Sequence, residues 1–391
     1  MIKIFHTGDI HLDSPLSGGD IVRSEEGRKR LRRVFSRMME HVRTVGYDLV
    51  LIAGDLYENG YLTEESAELL KSEFDSLSCP VIISPGNHDP YERGSFYLCA
   101  ELPENVRVFG EEKAEKIDID SLGVSVYGYA FKGINHRENP IEGVYCDPER
   151  INILCAHTEV GAPLSPYAPM SYGDIEGAGF SYAALGHIHK APQIYRSPVL
   201  TAAYCGFAEG RGFDEIGRGS ALSVTLYETG DKGDIKIEKL SFSDYSYELL
   251  PINISGLTED TELEARILKE LQENGYGEKN AVRITFEGVT DCGFVPNISY
   301  LNLKCSPLAD LLEIKDNSIP LSDEAELMRD MTIRGEFYRV LKDKLFSSDT
   351  NERNKASLAL RIGLAALEGR ELASFLPADE KNDADAPEEE I

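Results

Sequence analysis

Asp9 with His11, Asp55, Asn87 with His88, His157, and His187 with His189 are side chains of the kinds that bind divalent metals, and each group stands just beyond a short apolar run. Carboxylate, imidazole and amide donors with no thiolate among them suit hard-to-borderline ions. Five of the eight histidines are in this set, and a sixth, His6, adjoins the first run. Chance spacing does not concentrate ligands in this way, so the set reads as a two-metal site. Two ions about 4 Å apart need one carboxylate between them and enough other donors to hold each ion without cancelling its Lewis acidity. Asp55 is the expected bridge. Two divalent ions against Asp9 and Asp55 leave a locally positive pocket, fit to meet a phosphate diester.

The elements that must position these groups are legible as patterns. The apolar runs at 2–5, 49–53, 81–84, 151–156 and 182–185 are short, rich in β-branched residues and ended by turns, as buried strands are. Crevices form outside the carboxyl ends of strands in an open α/β sheet, so five such ends can converge although Asp9 and His189 are far apart in sequence. Between 23 and 45 the residues Leu31, Val34, Phe35, Met38, Met39, Val42 and Val45 fall at helical spacing. A second helix is expected over 63–77, capped by Thr63 with acids in its first turn, so the sheet begins parallel. Stretches 106–130 and 193–250 change to alternating or short apolar runs with glycine-rich turns, which predicts a second sheet packed on the first. The fold class is therefore α/β, a two-sheet sandwich flanked by helices. Beyond it, residues 251–320 read as a small α/β cap with a helix over 259–274 and strands over 281–287 and 299–304. Segments 322–345 and 351–373 read as a helical hairpin, with Ser322 and Asn351 as caps. The expected domains are 1–250, 251–320, 321–376 and an acidic, disordered tail at 377–391.

A chain of 391 residues exceeds what a single core usually serves. Its seven cysteines are odd in number, scattered and without a CxxC pair, which excludes a disulfide framework or zinc-thiolate site and implies a reduced, cytoplasmic setting. No apolar stretch reaches the roughly 20 residues that span a bilayer, so neither export nor anchoring is expected. The formal net charge of −28 disfavours simple electrostatic adhesion to nucleic acid or anionic membrane.

Gly8-Asp9-Ile10-His11, Gly54-Asp55, Gly86-Asn87-His88-Asp89, Ala156-His157 and Gly186-His187-Ile188-His189 together resemble the ordered signature of the calcineurin-like metallophosphoesterase superfamily. Leu12-Asp13-Ser14-Pro15, Gly206-Phe207-Ala208-Glu209, Phe213-Asp214-Glu215 and Gly219 resemble its DNA-repair nuclease branch, which includes SbcCD nuclease subunits and YhaO-type proteins. The match covers residues 1–245 by motif and the remainder by layout. The resemblance implies that Asp9, His11, Asp55 and His189 hold one metal and that Asp55, Asn87, His157 and His187 hold the other. It leaves His88 free to assist the leaving oxygen, oriented by a neighbouring carboxylate. It also implies manganese as the ion, DNA as substrate and a coiled-coil ABC-type ATPase as partner; a second copy of the chain is a further candidate partner. Many nuclease relatives carry a second catalytic histidine three residues after the bridging aspartate, where this chain has Glu58.

Blander readings suit other residues. His6 reads as a core or supporting group, His41 and His136 as surface residues, and Cys155 as a small core hydrophobe. Arg28, Lys29, Arg30, Arg32, Arg33 and Arg37 crowd the first helix; they read as a solvated face, with docking of a phosphate backbone as the rival. The proline-bearing loop between Gly161 and Gly179, directly after His157, is either a working part of the site or a surface excursion. Three functions compete: a manganese-dependent nuclease working with the ATPase, a phosphodiesterase or phosphatase for a small molecule or phosphoprotein, and a scaffold that keeps the fold for docking. An intact ligand set argues against the scaffold.

Overall fold

The computed structural model describes residues 1–15, 21–227, 235–290, 294–320 and 324–367, and the chain divides into two compact units, Met1–Tyr247 and Glu248–Ile391. The acidic tail expected at 377–391, and the last residues of the helix expected to reach 373, lie outside the described residues.

The first unit runs β1 (Ile2–Thr7), α1 (Ile21–Val45), β2 (Leu49–Ile52), α2 (Glu64–Asp75), β3 (Val81–Ile83), α3 (Phe96–Cys99), β4 (Val106–Val108), β5 (Glu115–Ile119), β6 (Val124–Gly128), β7 (Ile151–His157), α4 (Tyr172–Ala178), β8 (Tyr182–Gly186), β9 (Gln193–Arg196), β10 (Thr201–Tyr204), β11 (Ala221–Leu226) and β12 (Ile235–Leu240). Two sheets result, with strand orders β12-β11-β1-β2-β3-β4 and β5-β6-β7-β8-β10-β9. From β1 to β4 neighbours are parallel, as are β6, β7, β8 and β10, while β11, β12, β5 and β9 pair antiparallel at the edges.

Strand β2 shows why the sequence packs in layers. Its four apolar residues are all fully buried, and the period of two sends Val50 and Ile52 to one face and Leu49 and Leu51 to the other. Val50 and Ile52 meet Leu31, Phe35 and Met38 of α1 and Leu70 and Phe74 of α2. Leu49 and Leu51 join Val124, Ile153 and Ala184 of the second sheet. Of the seven apolar residues that predict α1, all but Val45 are buried, each stabilising the layer by roughly 1.5–3 kcal/mol. Thr63 caps α2 as expected, its hydroxyl accepting the Ser66 N–H at 3.2 Å.

The allocation of strands to sheets departs from the sequence reading. Strand β4, from the stretch expected in the second sheet, extends the first, and β11 and β12 do so from its opposite side. Strands β7 and β8, which carry His157 and His187, belong to the second sheet. Burial patterns identify strands but do not tell which of two stacked sheets receives them.

Strand β13 (Ser246–Asn253) leads into the second unit and is followed by α5 (Asp260–Asn274), β14 (Asn280–Glu287), β15 (Val289–Thr290), α6 (Ile298–Cys305), β16 (Leu311–Asp316), β17 (Ile319–Pro320), α7 (Glu324–Arg329), α8 (Ile333–Leu345) and α9 (Thr350–Leu367). A β13-β14-β16 sheet packs with α5 and α6 over one apolar core. The strand expected over 299–304 is a helix: Asn297 caps it by accepting the Tyr300 N–H at 3.0 Å, and Leu301 and Cys305, four apart, are its buried residues. The strand that pairs with β14 is β16 instead. The helix expected over 322–345 is broken after Arg329. Thr332 caps the restart, and a Cβ on Gly335 would come within 2.0 Å of the Asp330 carbonyl oxygen. Asp349 accepts the Glu352 N–H at the start of α9, and the caps expected at Asn351 and Ser322 fall outside the described side chains. Leu327, Tyr338 and Leu364 form the small core of α7, α8 and α9. No helix among the described residues is long and apolar enough to cross a membrane.

Candidate metal centre

The site is built where the loops leaving β1, β2, β3, β7 and β8 meet, so three of its strands come from one sheet and two from the other. The β1 and β2 loops are laced together by backbone: Asp9 N donates to the Gly54 carbonyl at 3.0 Å, and Ile10 N and His11 N both donate to that of Asp55 at 2.9 Å. Asp9, His11, Asp55 and His187 all have positive φ, at 48°, 50°, 51° and 102°. Non-glycine residues in this region cost energy, and the hydrogen bonds around them must hold them there. Two motif glycines are required by close approach. Gly54, at φ +84°, would drive a Cβ to 2.5 Å from His157 Nδ1, and one on Gly86 would reach 2.2 Å from Asp55 Oδ1.

Asp9, His11, Asp55 and His189 each offer one ligand atom such that all lie within 4.8 Å of one another. Within that group His11 Nε2 lies 3.2 Å from His189 Nε2 and 3.4 Å from Asp55 Oδ2, and His189 Nε2 lies 3.1 Å from Asp9 Oδ1. A second group adjoins it: His157 Nε2 is 2.9 Å from Asn87 Oδ1, 3.2 Å from His187 Nδ1 and 3.3 Å from Asp55 Oδ2. Asp55 Oδ2 is common to both. Facing imidazole nitrogens at 3.2 Å share at most one proton between their lone pairs, so two such pairs beside buried carboxylates fit cations better than they fit each other.

Three of the four ligand imidazoles are fixed from behind, as metal-binding histidines are. His157 Nδ1 is 3.0 Å from the Ala53 carbonyl, which selects the tautomer that presents Nε2. His189 Nδ1 is 2.9 Å from Glu215 Oε1, and His11 Nδ1 is 3.3 Å from Glu58 Oε2. The other Glu58 oxygen lies 2.8 Å from His88 Nδ1. Asp89, fully buried, accepts from the backbone N–H groups of Asp55, Leu56 and Gly86 and from the Tyr97 hydroxyl, so it fixes the turn that carries Asp55.

The charges reinforce one another. Burial alone would push the Asp9 and Asp55 carboxyls up. The neighbouring imidazoles, His189 foremost for Asp9 and His157 for Asp55, prevail and hold both below their usual range. Burial likewise disfavours charge on His157 and His189, yet the carboxylates raise them to about 9 and about 10. His11 and His187 are lowered to about 4, chiefly by burial. At neutral pH the protons on His157 and His189 thus balance the two carboxylates, a task that a pair of divalent cations would take over with positive charge to spare.

A calcineurin-like phosphoesterase family model matches residues 2–191, a span that contains every residue of both groups. Residues 2–191 thus form a calcineurin-like phosphoesterase domain. That domain is of a phosphoesterase hydrolase class that uses divalent metals. The chain is 28% identical over 264 residues to the uncharacterized metallophosphoesterase YhaO of Bacillus subtilis, covering 63% of this chain and 59% of that one. It is 23% identical over 406 aligned positions to a subunit of nuclease SbcCD from Staphylococcus epidermidis, covering 92% of this chain and 98% of that one. Among solved structures, the TT1561 protein of Thermus thermophilus matches at 12% identity with a TM-score of 0.36, and a dimetal phosphatase from Danio rerio at 10% with 0.37. Each match covers 62% of this chain and 99% of the other.

All eight residues singled out from the sequence, the seven ligand candidates and His88, are brought together. Four further residues join them. Glu58 and Glu215 orient imidazoles, Arg211 grips Glu215, and the Tyr167 ring lies 4.4 Å from that of His187. The loop after His157 is therefore a wall of the site. Its anchors include Glu159 N to the Tyr167 carbonyl and Ala168 N to that of His136. His136, expected at the surface, is buried between Tyr129 and Phe131, because this loop covers it. His41, also expected at the surface, is half-buried against Tyr47 and Phe242. His6 is a core residue bonded to the Tyr182 hydroxyl at 2.8 Å, and Cys155 is buried with its thiol pushed up. The basic cluster is largely engaged: Arg32 bridges to Asp13 at 2.7 Å, Arg37 to Asp244 at 2.7 Å, and Lys29 to Glu25 and Glu26 at 3.1 Å. Asp13 also accepts the backbone N–H and hydroxyl of Thr63, so Arg32 serves to staple α1 and α2 to the metal loop.

Proposed function

We propose that this chain is a two-metal phosphodiesterase whose substrate is DNA, cut as an exonuclease or endonuclease in repair together with a coiled-coil ABC-type ATPase. The observation that carries the two-metal reading is Asp55 Oδ2, which lies 3.4 Å from a nitrogen of one ligand group and 3.3 Å from a nitrogen of the other. One ion falls to Asp9, His11, Asp55 and His189, the other to Asp55, Asn87, His157 and His187, with manganese the expected activator of this oxygen and nitrogen donor set. When bound, the ions supply Lewis acidity and charge stabilisation at the phosphoryl oxygens. Glu58 accepts the Nδ1 proton of His88 and raises its affinity for a second proton, so His88 Nε2 is left to deliver that proton to the leaving oxygen.

The near full-length match to a protein named as a nuclease and as a subunit supports both the substrate and the partner. Met331, Ile333, Val340 and Phe346 are exposed around α8, which suits docking by the C-terminal helices. In this reading residues 1–250 are catalytic, 251–320 a cap, 321–376 the docking segment and 377–391 an acidic tail, and the protein works in the reducing cytoplasm. The test is cleavage of linear DNA with manganese, with and without the ATPase, beside hydrolysis of bis-p-nitrophenyl phosphate. Diester turnover with no DNA cleavage in either condition overturns the nuclease reading alone.

A second reading, a phosphodiesterase or phosphatase for a small molecule or phosphoprotein, is favoured by one local feature. Glu58 puts a carboxylate where many nuclease relatives have a histidine. Its charge and that of Glu215, against the single positive charge of Arg211, reduce the surplus that two divalent ions would hold over Asp9 and Asp55. A polyanion is attracted less to such a site than to one that stays positive.

A further inference from the structure

Arg211 lies outside the matched family region, and the two-metal reading leaves its charge without a role. Its guanidinium is anchored along one edge only. Nε lies 3.0 Å and 3.2 Å from the two Glu215 oxygens, and Nη2 also bonds Oε1 and stands 3.0 Å from His189 Nδ1. The remaining nitrogen, Nη1, has among the described residues a single contact, Ser14 Oγ at 3.4 Å. The side chain keeps 17% of its surface in contact with solvent. The charge stands at the edge of the site all the same, since Nη2 lies against a metal-ligand imidazole and Nη1 beside Ser14, in the loop that carries His11. A guanidinium needed only to neutralise Glu215 could lie along any side of that carboxylate. This one lies against His189, with one nitrogen held in reserve.

We infer that Arg211 is a substrate-contacting residue that grips a non-bridging oxygen of the phosphoryl group through Nη1 while Glu215 holds it in place. Guanidinium groups present rigid donor forks that match phosphate oxygens, and their charge does not depend on pH in the working range. The contact also answers the charge deficit left by Glu58 and Glu215, because Arg211 returns one positive charge at the point where the phosphate arrives. The inference rests on the two-metal reading and adds a third positive group to it, supplied by the chain itself. A rival role is purely structural: Arg211 could serve only to orient Glu215, and through it His189.

The experiment compares wild type with Arg211→Ala and Arg211→Lys, loaded with manganese. It measures metal equivalents by elemental analysis, affinity for inorganic phosphate by calorimetry, and kcat and KM on bis-p-nitrophenyl phosphate. Arg211→Ala is expected to keep two equivalents, bind phosphate roughly 10-fold more weakly and lose about 10- to 100-fold in kcat/KM, the scale of one charge-assisted contact to phosphate. Added guanidinium ion should restore part of the rate in Arg211→Ala and none in wild type. Arg211→Lys, which keeps charge without the fork, should fall between and covers the case in which the alanine variant does not fold. Unchanged phosphate affinity in a fully loaded variant overturns the inference, as does a loss of activity that follows lost manganese. A wild type that holds fewer than two equivalents overturns the metal reading and the inference with it.

Discussion

Glu58 Oε1 lies 2.8 Å from His88 Nδ1 while its other oxygen lies 3.3 Å from His11 Nδ1, so one carboxylate orients both the proposed general acid and a proposed metal ligand. Burial disfavours the ionised carboxyl, yet the two imidazoles hold it down at about 2. The residue that departs from the nuclease pattern is thereby built into the site. His88→Ala should keep both metals and lose turnover by roughly 10²- to 10⁴-fold, the range for a single acid-base group. Glu58→Gln should cost less, because His88 remains while its orientation loosens. Metal content and kcat measured on the same preparations check both; an unaltered kcat in His88→Ala removes it from the mechanism.

The sharing of Asp55 makes metal occupancy a direct readout. Asp55→Ala should lower both equivalents under saturating manganese, since its carboxylate faces both ligand groups. Asn87→Ala should lower only the one that contains His157, to which its side chain points at 2.9 Å. Elemental analysis distinguishes the two patterns. Two retained equivalents in Asp55→Ala would refute the shared position.

Stability should respond to pH through Glu209, a buried carboxylate outside the metal groups. Burial raises its pKa to about 7, with Ser243 and the Arg30 charge only partly offsetting it; Arg30 Nε stands 3.6 Å away, too far for a hydrogen bond. A raised carboxyl binds its proton more tightly folded than unfolded. Its contribution is therefore full below pH 4.5 and is lost as pH rises through about 7, by an upper bound of roughly 3 kcal/mol. Glu209→Gln should accordingly gain melting temperature over wild type at pH 8 and not at pH 4.5. Melting curves that keep a constant gap across that range would contradict it.

What can be read from the sequence follows the range of the interactions. The strands behind Asp9, Asp55, Asn87, His157 and His187 are legible because buried apolar runs end at turns that carry ligands, a pattern local to each segment. Which sheet takes β7 and β8 is not local, and the continuous burial of all these strands gives no cue. Glu215 and Tyr167 meet their histidines across loops, so nothing near them in sequence announces the contact. Glu58 is visible as a departure but not as a partner of His88, because that pairing joins two separate loops. Helix α6 reads as a strand since Tyr300, Asn302 and Lys304 alternate with Leu301, Leu303 and Cys305 over too short a run to separate the two periods.

The C-terminal helices give the last prediction. Among the described residues, Leu327, Tyr338 and Leu364 form a small buried core, supported by Leu345 and Leu360. Meanwhile Met331, Ile333, Val340 and Phe346 are each at least 67% exposed. Short amphipathic helices draw most of their stability from an apolar surface to pack on, and this set leaves much of its own apolar surface uncovered. The base of the ATPase coiled coil, apolar along one seam, is the proposed cover. Deleting residues 322–391 should therefore abolish co-purification with the ATPase and leave hydrolysis of a small diester within a few-fold of wild type, because every residue of the metal groups lies at or before His189. Substituting Val340 and Phe346 with serine should weaken association while the hairpin keeps its buried core. Undiminished association of the truncated chain would sink the docking proposal, whatever the outcome on DNA.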